Sequence, residues 1–295
     1  MNSELILNAD GSLYHLNLLP GEVAEKIILV GDPGRVQRIG QRFDTIELQK
    51  QKREFHTLTG TLRGQRLTVI STGIGPSNVD IVLNEVDALF NIDLNTNEPK
   101  EDLTSLKFLR LGTCGGVQAD IPVGTLVNSR FAIGTGSMMQ YYQSFRMGLW
   151  DTFSEFEAAV TSFFEEKGVP YRGYAAQGAS SLHKMIDTAF PAIKTGITYT
   201  VESFYGGQGR YIGRLSPSME DLPGTLASFS FQDMHILNIE MEAATVMALA
   251  NALGHEAGTI CVILANRAQR QFAPNPSELV ETLIDKGLVV MLDWG

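Results

Sequence analysis

The chain has 295 residues, of which 44% are hydrophobic and 19% charged, and its formal net charge is −10. That is enough apolar material for a large core, while the negative balance argues against a general nucleic-acid surface, which needs a broad basic field. A small anionic ligand remains open, because a few converging arginines set the local field of a cleft whatever the net charge.

The N-terminal MNSELILNADGS has neither the basic stretch nor the apolar run of a secretory leader. Residues 26–30 (KIILV) then read as a buried strand running into GDPGRV, and residues 67–72 (LTVIST) as a second strand running into GIGPSN and the helical VDIVLNEVDALF. Short apolar runs ended by glycine are the signature of buried strands, and glycine at the strand end permits a tight turn and close backbone approach. The polar stretch at about 91–105 (NIDLNTNEPKEDLTS) reads as a surface insertion. A third strand, FLRL, runs into the glycine turn GTCGG; residues 152–167 are helical; residues 197–203 (ITYTVES) alternate as a strand and lead into FYGGQGRY. Near the end, EMEAATVMALANAL is a mostly buried helix, GTICVILANR a core strand, and the final helix starts near Ser277, a candidate N-cap. Nothing resembling a linker or a repeat divides this series, so residues 1–295 read as one α/β domain with a central mixed sheet flanked by helices and a ligand at the strand ends.

No uncharged apolar stretch reaches the roughly 20 residues that span a bilayer. Cys114 and Cys261 stand in no CxxC or Cys/His spacing, which argues against zinc and against a disulfide framework. A soluble cytoplasmic protein without a metal, interacting with neither membrane nor nucleic acid, is the expectation.

Three segments carry chemistry. GDPGRV offers Gly31 backbone N–H groups and the Arg35 fork, suited to phosphate; as a motif it is equally an ordinary turn with a surface arginine, and it is neither a Walker motif nor GxGxxG. Arg110 inside the apolar strand FLRLG must either reach a ligand at the strand end or pair with a buried carboxylate, with Thr113 placed to add a hydroxyl donor. Cys114 beside it reads as a small filler. Glu240, Met241 and Glu242 open the buried helix, so the two acids read as functional more readily than as a solvated face.

GDPGRV, KREFHT, STGIG, LRLGTCGG, FYGGQGRY, NIEMEAAT and VILANRAQ occur in the order and approximate spacing of the nucleoside phosphorylase family that includes the hexameric bacterial phosphorylases. The resemblance spans about Tyr14 to the C-terminus and is nearest to the uridine-cleaving members. It implies phosphorolysis of uridine or a related pyrimidine nucleoside to free base and ribose 1-phosphate, with inorganic phosphate as co-substrate and no cofactor. It also implies that phosphate is held by Gly31, Arg35, Arg53 and Arg110 with Thr113 assisting, and ribose by Glu242, Met241, Glu240 and His15. In the family the arginine of the KREF block and the histidine of LYHLNL come from a neighbouring subunit, which makes a homodimer the minimal active unit, alone or within a hexamer. His15 taken by itself is as readily a surface histidine.

The base would meet Phe204, Gln208 and Arg210, since a side-chain amide plus a guanidinium match the O2, N3–H and O4 edge of uracil, and the cation stabilises the leaving anion. Arg110, Arg210 and Glu242 are the expected catalytic residues. Phe204 is equally consistent with a core aromatic. Where purine-cleaving relatives carry an acid, this chain has Asn266-Arg267-Ala268. STGIGPSN is one glycine shorter than the Gly-Gly-Pro form of many members, and the insertion at 91–105 is absent from the short ones. A purine phosphorylase or a nucleosidase of the same superfamily is the nearest alternative, and a non-catalytic nucleoside-binding protein a more distant one. Replacing Arg110 by alanine is expected to cripple phosphorolysis without unfolding the protein.

Overall fold

The computed structural model describes residues 3–142, 153–169 and 173–295. Strand β1 (Lys26–Val30) feeds helix α1 (Pro33–Gly40), and β2 (Thr45–Lys52), β3 (Phe55–Leu62) and β4 (Gln65–Ser71) form an antiparallel run that leads into α2 (Pro76–Asn91). The insertion holds the two-residue strands β5 (Ile92–Asp93) and β6 (Glu98–Pro99). The Asn91 side chain closes it by bonding both the N–H and the C=O of Thr104, at 2.7 and 3.1 Å. There follow β7 (Lys107–Gly116), β8 (Leu126–Gly134), α3 (Phe153–Lys167), β9 (Tyr174–Gln177), α4 (Ser180–Ala189) and β10 (Lys194–Thr200). The chain ends with α5 (Leu222–Ala227), β11 (Ser230–Phe231), β12 (Met234–Glu240), α6 (Ala243–Ala252), β13 (Glu256–Asn266), β14 (Gln271–Phe272) and α7 (Pro276–Asp293).

The strands run β11-β12-β10-β8-β13-β7-β1-β4-β3-β2, and an added β12–β7 pairing closes β12, β10, β8, β13 and β7 into a ring. β1 pairs in parallel with both β4 and β7, and β13 with β7, whereas β2, β3 and β4 pair antiparallel, so the sheet is mixed as expected. The ring closure brings the C-terminal ends of β7 and β12 side by side, at Gly115 and Gly116 against Ile239 and Asn238. That places Arg110 and Glu240 on neighbouring strands of one mouth.

Both sheet faces are covered. Val79, Val82, Leu83 and Val86 of α2 pack with Ala244, Met247 and Leu249 of α6 over Ile27, Leu29 and Phe108. On the other face Val36 and Ile39 of α1 meet Leu283, Ile284 and Val290 of α7 over Ile28, Val30 and Leu109. Each such side chain contributes about 1.5–3 kcal/mol by leaving water. Helix α6 is buried on every side from Ala243 to Ala250, which is why its sequence is apolar all round and lacks an amphipathic stripe.

Three sequence expectations are corrected. GTCGG does not turn; it continues β7 to Gly116, because glycine here makes room for a side chain and not for a bend. A Cβ on Gly112 would lie 2.2 Å from Arg110 Nη1 and 2.8 Å from Cys261 Sγ. Ser277 is not the N-cap of α7, since Pro276 takes the first helical position that its fixed φ favours and Asn275 precedes it. The strand expected over 197–203 spans Lys194–Thr200, while Thr152 of the helix expected over 152–167 lies outside the described residues.

Candidate active site

A cavity of about 630 Å³ opens at the mouth formed by β1, β7, β12 and β13. Its lining unites segments that lie far apart in the chain: Gly31 and Arg35 after β1, Arg110 and Thr113 of β7, Phe204, Gln208 and Arg210, and Glu240, Met241 and Glu242. Every site residue expected from the sequence except Arg53 and His15 therefore faces one space.

At the β1–α1 turn, Asp32 caps α1 by accepting from Gly34 N–H at 2.9 Å. The Arg35 side chain turns inward, is buried, and donates from Nη1 to Leu111 O at 2.9 Å, while its Nε–H has no partner among the described residues. Burial, with Arg110 as the nearest like charge, holds the Arg35 guanidinium below its ordinary value.

Arg110 is 4% exposed and resolves the choice left open by the sequence in both directions: it lines the cavity and it is ion-paired. Its Nη1 lies 3.0 Å from Glu240 Oε2, and its Nη2 donates to Glu242 Oε2. Burial alone would lower this guanidinium, but Glu242 and then Glu240 more than reverse that and raise it. Glu242 is itself shifted up, by burial first and by Glu240, against the pull of Arg110 and of the Gly75 N–H that donates to its Oε1 at 2.6 Å. Both directions follow from the same contacts: two carboxylates bear on Arg110 and raise it, while burial and Glu240 beside it raise Glu242. Replacing Arg110 should therefore cost stability as well as activity, since removal strands two buried acids.

Glu240 is the most fully bonded acid of the site. Its Oε2 also accepts from Glu242 N–H and Ala243 N–H, each at 2.9 Å, which caps the start of α6, and its Oε1 accepts from Thr200 Oγ1 at 2.5 Å. Cys114 is buried with its thiol pushed well up by burial and by Cys261 beside it, in keeping with a filler and not a nucleophile.

At the other end of the cavity, residues 206–208 make one tight helical turn stopped by Gly209 at φ +64°, so Gln208 is buried inside while Phe204 stays 47% exposed. Phe204 is thus no core aromatic. The Arg210 guanidinium carbon sits 4.3 Å from the Phe204 ring centroid, and Arg210 Nε and Nη2 each reach Gln208 Oε1 at 3.4 Å. The sequence reading missed Arg267 as part of this end. Its Nη1 donates to Gln208 O at 3.0 Å, its Nη2 reaches Gly209 O at 3.5 Å, and burial with Arg210 alongside brings its guanidinium down to about 10. Asn266 instead faces Gln118 O and Ile121 O through its amide, at 2.9 and 2.8 Å, and anchors a loop. Thr200, Gly75 and Phe272 were also not foreseen; only the run of glycines around Gly75 hinted at a close approach.

Arg53 and His15 lie together outside the cavity. Arg53 is exposed at φ +55° on the β2–β3 turn with its guanidinium carbon 5.6 Å from the Tyr14 ring centroid. His15 meets Glu85 through Nδ1 at 2.6 Å, and Glu85 also accepts from Leu16 N–H at 2.9 Å, which fixes the segment. Among the described residues no group of three or more His, Cys, Asp or Glu side chains is placed to hold a metal ion, and no helix is long and apolar enough to cross a membrane.

The family profile described as the phosphorylase superfamily matches residues 25–286. A uridine phosphorylase of Thermococcus kodakarensis is 29% identical over 292 residues, covering 97% of this chain and 88% of that protein. A guanosine phosphorylase of Halorubrum lacusprofundi is 30% identical over 276 residues, 92% and 91% of the two chains. In three dimensions, a Trypanosoma brucei nucleoside phosphorylase whose crystal structure is described as showing uridine phosphorylase activity aligns with a TM-score of 0.87 at 28% identity, over 99% of both chains.

Proposed function

This chain belongs to the phosphorylase superfamily, and from that membership and the contents of the cavity we propose that it is a uridine phosphorylase, cleaving uridine with inorganic phosphate to uracil and ribose 1-phosphate. The observation that carries the reading is the polarity of one cavity: paired guanidinium groups Arg35 and Arg110 at one end, and the amide of Gln208 beside Arg210 at the other. An oxyanion fits the first and the edge of a pyrimidine the second.

In the reaction as we see it, phosphate rests on the Gly31 turn, Arg35, Arg110 and Thr113. Glu242 accepts from the ribose hydroxyls and Met241 lies against the sugar. Phe204 stacks on the base, while Gln208 and Arg210 hold its edge. As the glycosidic bond lengthens, charge accumulates on the departing uracil, where Arg210 meets it, and phosphate attacks C1′ from the opposite side. The protein's contribution is placement and fixed charge; holding the reactants in line supplies up to roughly 7–11 kcal/mol in well-oriented cases.

The carboxylates of Glu240 and Glu242 offset the charge of Arg35 and Arg110, so the site within one chain is close to neutral. A phosphate dianion calls for a further cation, and the exposed Arg53 of a partner subunit supplies one in a homo-oligomer, with the partner subunit's His15 beside it at the ribose. Cytoplasmic nucleoside salvage, with no cofactor besides the phosphate, is the setting we propose.

The relative of Halorubrum lacusprofundi, a guanosine phosphorylase, keeps the purine reading in view. Against it stands the chemistry of residues 266–268, where Asn266 is spent on backbone carbonyls and Arg267 is a cation in place of an acid that could protonate a purine. A panel of uridine, thymidine, deoxyuridine, inosine and guanosine, assayed with and without phosphate by release of free base, tests this. Phosphate-dependent release of uracil above all other bases is expected. Release without phosphate, or preferential cleavage of a purine nucleoside, overturns the assignment.

A further inference from the structure

The end of β10 contains a buried hydroxyl that the proposed reaction leaves without a role. Thr200 is 4% exposed and does not line the cavity. Its Oγ1 accepts from Ala244 N–H at 3.0 Å and lies 2.5 Å from Glu240 Oε1. A backbone N–H can only donate, so that contact uses a lone pair of the hydroxyl and leaves its proton for the carboxylate. The direction of the hydrogen bond is thereby fixed from Thr200 to Glu240.

Glu240 is therefore heavily engaged. Oε1 takes Thr200; Oε2 takes Glu242 N–H and Ala243 N–H and is ion-paired with Arg110 Nη1 at 3.0 Å. Of the roughly four lone-pair directions of a carboxylate, about one, on Oε1, is left over. Glu242 differs: among the described residues it accepts from Gly75 N–H and from Arg110 only, and keeps capacity to spare. We propose that Thr200 is a positioning residue for phosphate binding, acting through Glu240 to hold the Arg110 guanidinium in the plane that faces the anion. The inference rests on the reading of Arg110 as a phosphate ligand.

The physical logic is that one Arg110 nitrogen is held by each acid. Glu242 must exchange part of its bonding when a ribose arrives, so it cannot by itself keep the guanidinium still. Glu240 can, because its other donors come from the first turn of α6 and from the end of β10, two elements already fixed by packing. Removing the Thr200 proton takes away a donor to Oε1 and lets the carboxylate rotate toward the remaining donors on Oε2, carrying Arg110 with it.

The test compares Thr200→Val, which keeps the shape and loses the hydroxyl, with Thr200→Ser, which keeps it. In Thr200→Val, KM for phosphate is expected to rise about tenfold, the typical effect of one hydrogen bond to a charged group, with KM for uridine changed less than twofold, on the order of measurement scatter. Thr200→Ser restores wild-type values. Titration of the protein with inorganic phosphate alone, followed calorimetrically, reads the same loss without any nucleoside. That arm separates the two layers of the argument: a wild type that binds phosphate but does not cleave uridine defeats the functional reading, whereas a Thr200→Val protein that binds phosphate as well as wild type defeats this one. Equal impairment by valine and serine, or parallel increases in both KM values, also overturns it by pointing to packing alone. Should Thr200→Val not fold, Thr200→Cys keeps an acceptor for Ala244 N–H while donating only weakly, and is read by the same outcomes.

Discussion

Replacing Arg110 by methionine tests the buried triad directly. The substitution keeps an apolar stem of similar length but leaves Glu240 and Glu242 facing each other with no cation between them. Breaking a buried pair in this way costs about 3–5 kcal/mol. The protein can limit that cost by protonating one carboxyl. From an ordinary value of 4.5 for a glutamate, protonation at about pH 7.5 costs 1.36 kcal/mol for each of roughly three units, or about 4 kcal/mol, and at about pH 5.5 only about 1.4 kcal/mol. The sign follows: a carboxyl whose folded value is raised gives stability that is fully present below its unfolded value and lost as pH climbs through the folded one. Arg110→Met should therefore melt roughly 5–15 °C below wild type at about pH 7.5, with the gap closing substantially at about pH 5.5. Adding Glu242→Gln should recover most of the lost stability at neutral pH while phosphorolysis stays about 10²–10³ below wild type. Calorimetry across pH with a coupled uracil-release assay reads both. A single variant that melts within about 2 °C of wild type at neutral pH, or a gap that widens on acidification, would falsify the triad as a stability element.

Gly112→Ala would set a methyl against Arg110 Nη1 and Cys261 Sγ, so the guanidinium must shift; phosphate KM should rise about tenfold or more with the fold intact, and an unchanged phosphate KM would show that the crowding is relieved elsewhere. Arg267→Met removes the donors to Gln208 O and Gly209 O, loosening the turn that buries Gln208; KM for uridine should rise several-fold, about 1 kcal/mol, with KM for phosphate unmoved, and equal effects on both substrates would contradict this split. His183 is buried with Nδ1 at 2.9 Å from the Asn128 amide, and burial, aided by Arg130, holds its value down to about 3. A histidine depressed in this way gives stability that is present above its unfolded value near 6.5 and lost as pH falls below it, by up to about 1.4 kcal/mol per unit. The melting temperature should thus fall between about pH 7 and 5, and His183→Gln should flatten that fall; an identical slope in the variant would assign the acid limb to other groups.

How much of this was readable in the chain depends on how local the cause is. The strand and glycine-turn units at β1 and β4 are local, because an apolar run and the glycine that ends it are neighbours, and both were read correctly. Arg110 was legible as a residue of the cavity because a charge inside FLRLG demands a reason within that strand. Its partners were not legible as partners: β7 meets β12 only through a ring closure that depends on the whole order of the sheet. GTCGG was misread for a related reason. Glycine after an apolar run usually marks a turn, but here Gly112 yields space to the side chain two residues before it. Arg267 gave no signal, since what it bonds are backbone carbonyls 59 and 58 residues away, and carbonyls have no letter in a sequence. Thr200 was hidden in the same way, its hydroxyl acting on a residue 40 positions further on.

The same electrostatics accounts for why these acids accompany the arginines at all. A cleft meant for a phosphate must carry buried guanidinium groups, and an unpaired buried charge is costly whenever the ligand is away. Glu240 and Glu242 resolve this by neutralising Arg110 from two sides, yet they differ in what they can release. Glu240 is tied by Thr200 and by the first turn of α6, so it is a permanent counterion. Among the described residues Glu242 is held by Gly75 N–H and Arg110 alone, which leaves it lone pairs for the ribose hydroxyls we propose it receives. A site with this division holds its arginines paired and oriented, and a phosphate dianion in it would call for a further guanidinium. On that reasoning Arg53, exposed and without an ion pair among the described residues, suits the role proposed for it: a cation that would be expensive to keep buried stays in solvent until, as we propose, a partner subunit's cavity receives it.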